Sequence, residues 1–476
     1  MSAFFFALNR RGQALDPSCA ERMMKALEIY GPDANRLLCE KHVALGYQSR
    51  WVVPEEIGET QPLVDRTAEQ WFAFHGRIDN RDELLAQLPA KYSSNVSDAE
   101  LFLAHLQTHG ESGLNAVIGP FAFVWFDLRH QRVLAARDAM GGRSLFYHLD
   151  DEVLLIATSE AALIAHEAVP FELNAGKVGR LLVGEMDMEP TSVVEAISVF
   201  KPGSVLSLDS VEFSMTRFYR APNLDFNGWR DADYAREFRR LLTQATQRRL
   251  RAVGRVGSML SGGLDSVPMT ICAAESSTEN VDAYSWVFDA YPEADERRYS
   301  QLVCENFKLT QHQVLCDQLW PGFDSSMYVN PTLPVGTPYS EFQQATFRCA
   351  RGQDVRVLLT GIHGDLLYES THGLLYGLIK QGRWREAGSE LKRLWKAVPQ
   401  SWLVVKYYLL LPIPWIARFS DWRKRRAYKA HPSLQADVAE QCRRQQSRPH
   451  WLAEESRRQV RPEPVSYTHL RAHETG

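Results

Sequence analysis

The chain lacks the paired cysteines that would staple it or hold a metal. Its seven cysteines, Cys19, Cys39, Cys272, Cys304, Cys316, Cys349 and Cys442, are odd in number, widely scattered and never spaced as C-x-x-C. That spacing suggests neither a disulfide framework nor a cysteine zinc site, and it suits a reducing cytoplasm. Charge of one sign is missing as well: 54 Lys and Arg face 58 Asp and Glu, for a net charge of −4. A dedicated nucleic-acid domain carries a basic excess, so no nucleic-acid partner is expected and small molecules or a peptide are. Long uncharged runs are absent too. The stretch "WLVVKYYLLLPIPWIARF" is broken by Lys406, Pro412, Pro414 and Arg418. Only about 11 consecutive residues there lack charge, against the ~20 that span a bilayer. It reads as a buried or surface-docked helix that ends at the prolines, with no stable membrane span. The start "MSAFFFALNRRG" has no basic region ahead of its apolar part, so it reads as a buried strand and not as a signal peptide. No internal repeat or low-complexity tract occurs.

What is present divides in two. At 476 residues the chain exceeds what one core usually holds. Up to about Phe218, short runs such as "AFFFAL", "WFAFHGRI", "GPFAFVWFDL", "RVLAARD", "EVLLIATS" and "GSVLSL" predict strands, each bounded by turn residues. "CAERMMKALEIYG" and "SDAELFLAHLQTHG" have helical spacing and a Gly stop, and Ser97 can cap the second. Many strands with few helices predict stacked sheets covered by helices. After "DFNGWRD" the pattern changes: a long amphipathic helix, then "RVGSML", "VDAYSWVFDA", "HQVLCD" and "VRVLLTG" alternate with helical segments. That alternation predicts βαβ units and a parallel sheet, with ligands beyond the carboxyl ends of its strands. From about Gln381 the sequence is helical and basic, and its basic clusters read as solvated helix faces.

Two strand ends carry the chemistry. In "VGSMLSGGLDSVPMT" an apolar run leads into Ser261, Gly262 and Gly263, followed by Asp265 and Ser266. Glycines let backbone N–H groups close around a phosphate, and the helix that follows adds its positive end. No Lys follows, so this is not a P-loop of the G-x-x-x-x-G-K-[ST] kind. Asp265 would repel a bare phosphate, so its natural role is to hold Mg²⁺ that bridges phosphate oxygens. Magnesium takes one or two carboxylates, and Asp365 in "TGIHGDLLY" stands just after another strand-end glycine turn.

"LSGGLDS" resembles the pyrophosphatase loop of the asparagine synthetase family. "GRIDNRDEL", "SDAELFLAHL", "GPFAFVWFD" and "ARDAMGGRSLFYH" resemble that family's glutaminase-type domain, and the likeness runs in colinear order from Ser2 to about Tyr368. The resemblance implies an α/β chain. An N-terminal-nucleophile-hydrolase-like αββα sandwich over 1–218 would precede an adenine-nucleotide α-hydrolase-like, ATP-dependent domain over 230–464. It implies ATP and Mg²⁺ as cofactors and activation of a carboxylate as an acyl-adenylate, followed by attack of an amine or ammonia. Leu260, Ser261, Thr360 and Gly361 would lie against ATP, with Phe288 at the adenine-side strand end and Mg²⁺ on Asp265 and Asp365.

The sequence also departs from the family pattern. Glutamine-hydrolysing members begin Met-Cys-Gly, whereas Ser2 stands here, and an unassisted hydroxyl is a far weaker nucleophile than a thiolate. Asn-Gly-Glu is replaced by His75-Gly76-Arg77, while Asp98 is kept. These changes imply a degenerate glutaminase site. Ile362 replaces a Glu tied to handling the amine, and "YVNPTLPVGTPYSEFQQAT" lacks an Arg used near aspartate. Such losses occur in β-lactam synthetases and in lasso peptide cyclases, whose partners are a precursor peptide, a leader-binding protein and a protease. His363 or Glu369 could deprotonate the amine. The tail "VSYTHLRAHETG", 465–476, resembles library-adapter sequence, and a truncated reading frame is expected. A homodimer, and a non-catalytic nucleotide-binding assembly partner, are the remaining expectations.

Overall fold

The computed structural model describes residues 2–89, 92–182, 191–209, 212–222, 224, 226, 228–319, 339–362, 364, 378–379 and 382–397. It forms two compact units, Met1–Asn174 with Pro190–Gly361, and Ala175–Glu189 with Ile362–Gly476.

In the first unit the N-terminal elements are β1 (Ala3–Asn9), α1 (Pro17–Ala26), β2 (Ala34–Glu40), β3 (Val43–Ser49), β4 (Leu63–Asp65), β5 (Gln70–Gly76), α2 (Arg81–Leu85), α3 (Asp98–His109), β6 (Phe121–Asp127), β7 (Arg132–Arg137), β8 (Phe146–Leu149), β9 (Val153–Ala157) and α4 (Glu160–Ile164). After α5 (Ala175–Leu182), which belongs to the second unit, come β10 (Ser198–Val199), β11 (Ser204–Leu208) and β12 (Phe213–Arg217). One antiparallel sheet has the order β10-β8-β9-β1-β3-β2 and the other β12-β11-β7-β6-β5-β4. Alternation decides the layers. Phe4, Phe6 and Leu8 of β1 meet Trp71, Ala73, Val124 and Phe126 of the second sheet in the core between the sheets. Phe72, Phe74, Phe121 and Phe123, which point the other way, take Phe102 of α3, whose ring lies 4.9 Å from that of Phe123 and 5.0 Å from that of Phe74. With α1 and α4 against the first sheet, the order is helix, sheet, sheet, helix. Ser97 caps α3 reciprocally: its hydroxyl accepts the Glu100 N–H at 3.1 Å, and the Glu100 carboxylate accepts the Ser97 N–H at 3.3 Å. The hairpin of β2 and β3 goes beyond the strand pattern read from the sequence. Lys41, with φ at 46°, lies in its turn.

The second half of this unit is α6 (Asp231–Arg249), β13 (Arg255–Met259), α7 (Ser266–Ser276), β14 (Asp282–Val287), α8 (Arg297–Phe307), β15 (Thr310–Leu315), α9 (Ser340–Gly352) and β16 (Val355–Leu359). The four strands are parallel in the order β15-β14-β13-β16. Helices α7 and α8 cover one face through Ala273 and Cys304, and α9 covers the other through Ala350 and Phe342. The chain therefore steps outward from β13 through β14 to β15, then returns to lay β16 on the other side of β13. That reversal opens a crevice at the carboxyl ends of β13 and β16, the place where open α/β sheets bind ligands.

In the second unit, α10 (Trp384–Ala397) is part of the helical segment expected after Gln381. The run at 402–419, Cys442 and the tail 465–476 lie outside the described residues. No described helix is long and apolar enough to cross a membrane.

Candidate nucleotide site at the switch point

Leu260, the residue after the end of strand β13, is 1% exposed, and its N–H donates to the Tyr284 carbonyl at 2.8 Å. The chain then turns sharply. Gly262 has φ at 94°, and a Cβ there would stand 2.5 Å from Cβ of Tyr299 on α8, so both conformation and space require glycine. Hydroxyls brace the turn: the N–H groups of Ser261 and Gly263 donate to Ser266 Oγ and Ser261 Oγ, each at 3.2 Å, and the two hydroxyls lie 3.0 Å apart. Asp265 is half-buried at the position before α7, and its side chain makes no capping bond to that helix. The loop thus gathers backbone N–H groups, two hydroxyls and a helix N-terminus around one carboxylate.

The second strand-end turn lies directly against the first. A Cβ on Gly361 would stand 2.8 Å from Ser266 N and 2.9 Å from the carbonyl carbon of Asp265, so backbone meets backbone where β16 ends. Thr360 precedes it and is exposed. Phe288 follows the last residue of neighbouring β14 and packs edge-on against Phe342 of α9 at 5.8 Å. The structure therefore brings Leu260, Ser261, Gly262, Gly263, Asp265, Ser266 and Gly361 together. His363, Asp365 and Glu369 lie outside the described residues. Among the described residues no three His, Cys, Asp or Glu side chains form a metal cage. Magnesium held largely by phosphates and water needs only one or two carboxylates, which Asp265 can begin to supply.

A charged rim beside this crevice goes beyond the sequence reading. Arg297 at the start of α8 pairs with Asp289 at 2.5 Å and Asp295 at 2.6 Å, and Asp317 accepts the Asp289 N–H at 2.9 Å. The signal for it is the dense run of acidic residues followed by two arginines in "FDAYPEADERR".

Of the N-terminal residues singled out by the sequence, Ser2, His75, Arg77 and Asp98 are buried. Ser2 is buried, donating to the Arg50 carbonyl at 3.2 Å and accepting the Arg50 N–H at 2.9 Å. His75 is 6% exposed, and neither ring nitrogen has a partner among the described residues. Burial, helped by the nearby Arg143 charge, pushes its imidazole well below its ordinary range, so it is neutral. Gly76 ends β5, and Arg77 is buried with Nε on Asp79 at 3.0 Å. Asp98 is 1% exposed and already engaged by guanidinium groups. A polar chain absent from the sequence reading runs nearby. Gln61 Nε2 donates to Tyr47 Oη at 3.3 Å and to Glu59 at 3.0 Å, and the Ser97 hydroxyl donates to Glu59. Burial raises the Glu59 carboxyl to about 7.

A family model described as asparagine synthase matches residues 237–474, and one described as a glutamine amidotransferase domain matches residues 5–219. The chain is 26% identical over 272 residues to a glutamine-hydrolysing asparagine synthetase of Bacillus subtilis, covering 56% of this chain and 43% of that protein. It is 23% identical over 380 residues to the amidase chyE of Penicillium rubens, covering 75% of this chain and 56% of that one. The chain thus spans about half the length of the curated relatives it matches. Among solved structures, a glutamine phosphoribosylpyrophosphate amidotransferase from B. subtilis, complexed with ADP and GMP, matches at 13% identity. The match covers 75% of this chain and 90% of that one, at a TM-score of 0.34.

Proposed function

The chain belongs to the asparagine synthetase family, and from that membership we propose that it is an ATP-dependent, AMP-forming carbon–nitrogen ligase. The contact of Gly361 with the Asp265–Ser266 backbone carries this reading, because it sets two glycine turns on one crevice, as a triphosphate gripped from both sides requires. Backbone N–H groups of Ser261 and Gly263, held in the structure by neutral hydroxyls, pass to phosphate oxygens, which are stronger, charged acceptors. The start of α7 adds its positive end. Asp265, with Asp365, would hold Mg²⁺, and the metal would supply charge stabilisation for the departing pyrophosphate. The substrate carboxylate attacks the α-phosphorus, the bond to the bridging oxygen breaks and pyrophosphate leaves. An amine then attacks the acyl-adenylate, loses its proton and expels AMP, with His363 or Glu369 as the base.

The state of the N-terminal half favours an amine that does not come from glutamine. Ser2 is bound to the Arg50 backbone, His75 is neutral, and Asp98 is already occupied. Free ammonia and an amine on the substrate itself are the two sources left. The second gives the cyclising reading, in which a precursor peptide or a small β-amino acid closes on its own carboxylate, as in lasso peptide cyclases and β-lactam synthetases. The described cysteines are all free thiols, which supports a cytoplasmic setting.

Carboxylate-dependent exchange of labelled pyrophosphate into ATP tests the activation step. Exchange that vanishes in Asp265→Ala supports it. Nucleotide binding without exchange for any carboxylate would make the chain a non-catalytic nucleotide-binding partner. With exchange in hand, product masses after adding ammonia or a candidate peptide separate amidation from ring closure.

A further inference from the structure

The turn between α6 and β13 reaches into the N-terminal half of the same compact unit. Arg251 Nη2 donates to Asp98 Oδ2 at 2.7 Å and to the Ile78 carbonyl at 3.0 Å. Its Nη1 donates to Glu55 at 2.8 Å and to Asp98 Oδ1 at 3.2 Å. Asp98 also accepts the Ile78 N–H at 2.9 Å and a bond from Arg81. An ionised carboxylate offers about four acceptor positions, and here four donors fill them. The neighbours repeat the pattern: Arg249 pairs with Asp79 at 2.6 Å, Arg248 pairs with Glu83, and the Arg248 carbonyl accepts a bond from Arg77. The Val253 N–H donates to the Val52 carbonyl at 2.7 Å, two residues before β13 begins, and Arg356 of β16 donates to the Trp51 carbonyl at 3.1 Å. The strands that carry both glycine turns are therefore tied at their opposite ends to the segment 51–56.

We propose that Arg251 is a latch. It permanently occupies the carboxylate of Asp98, joins the N-terminal sandwich to the parallel sheet as one cooperative body, and so acts as a positioning residue for the phosphate loop at the far end of β13. An exposed ion pair could not do this, because competing water and side-chain freedom leave it weak. Asp98 is 1% exposed, and removing the Arg251 guanidinium leaves this buried charge with only Arg81 and the Ile78 N–H to compensate it. Lysine cannot replace the fork, since one ammonium cannot span both carboxylate oxygens, Glu55 and a carbonyl.

The test uses the full chain and follows hydrogen exchange of the β5 and β13 amides against denaturant. In the wild type the two strands open together, with equal protection and equal denaturant dependence. In Arg251→Gln, β13 and the loop after it exchange at least tenfold faster while β5 keeps most of its protection. Arg251→Lys falls between, and serves alone if the Gln variant does not fold. Separate opening of β5 and β13 in the wild type, or unchanged β13 exchange in both variants, overturns the latch. The positioning role rests on the proposed ligase reading and has its own arm: Arg251→Lys raises KM for ATP in pyrophosphate exchange several-fold with kcat nearly unchanged. Unchanged KM removes that role, and absence of exchange in the wild type removes the ligase reading while the hydrogen-exchange arm still decides the latch.

Discussion

At Gly361, replacement by alanine would force a Cβ to within 3 Å of the Asp265–Ser266 backbone, which has no flexible end to yield. Overpacking of that kind costs about 1–3 kcal/mol, or roughly a 5- to 150-fold rise in KM for ATP if the strain falls on the bound loop. Pyrophosphate exchange at varied ATP reads it, and an unchanged KM would mean that the two turns do not act together. Ser2 gives the opposite kind of test. Ser2→Cys restores a thiol, yet His75 stays neutral and Asp98 stays filled, so ammonia release from glutamine should remain at the wild-type level. Release well above it would show that the nucleophile alone was missing. Glu59 is the residue whose charge should show in stability. Burial raises its carboxyl to about 7, against the pull of its bonds from Ser97 and Gln61, while Glu56 and Glu100 push it further up. A carboxyl raised in the folded state contributes stability that is full below its unfolded value near 4.5 and is lost as pH rises through about 7. Glu59→Gln should therefore flatten the fall of stability between those values, by on the order of 3 kcal/mol. Denaturant midpoints at several pH values measure it.

Helix α3 shows which elements the sequence makes plain. Its Ser97 and Glu100 form a reciprocal cap, and the same serine also holds Glu59, so Ser97→Ala should lower stability by at least about 1 kcal/mol. A midpoint unmoved in urea would show that the cap is redundant. This helix, the strands β1, β5, β6, β7, β9 and β11, and the alternation from β13 to β16 were legible because periodicity and turn residues are local signals. β2 and β4 were not: their partly exposed residues blur the period of two, and only pairing with β3 and β5 makes them strands. At the site, glycines and hydroxyls in 260–266 announced the loop, and Gly361 came through family resemblance. Nothing local could announce Arg251 with Asp98 or Gln61 with Tyr47. Those pairs exist only once distant segments are folded together, and an arginine in a turn looks like any solvated charge. Phe288 was legible as a strand end, but its packing on Phe342 depends on a helix that arrives 54 positions later in the chain.

For the molecule as a whole, the question is whether a ligand at one end of β13 is felt in the N-terminal sandwich. Anything that binds only the folded state stabilises it by about 2.7 kcal/mol at a hundredfold excess over Kd. That gain reaches every amide that exchanges only through the opening the ligand opposes, and no amide that opens independently. If the sandwich and the parallel sheet open as one body, MgATP at the loop after β13 should slow exchange in β5 and β6 about a hundredfold at that excess, although both strands belong to a different sheet. Phe74 and Phe123 are suited to report this, since they lie on hydrogen-bonded strands with side chains 2% and 0% exposed. Asp265→Ala should abolish the protection in both halves together, because it removes binding without touching the sandwich. Arg251→Gln should leave protection around the loop while cutting its transfer to β5 and β6. Protection confined to β13, α7 and β16 in the wild type would show instead that the two halves are neighbours without being coupled, and that the N-terminal half is retained for some task other than holding the strand beneath the phosphate loop.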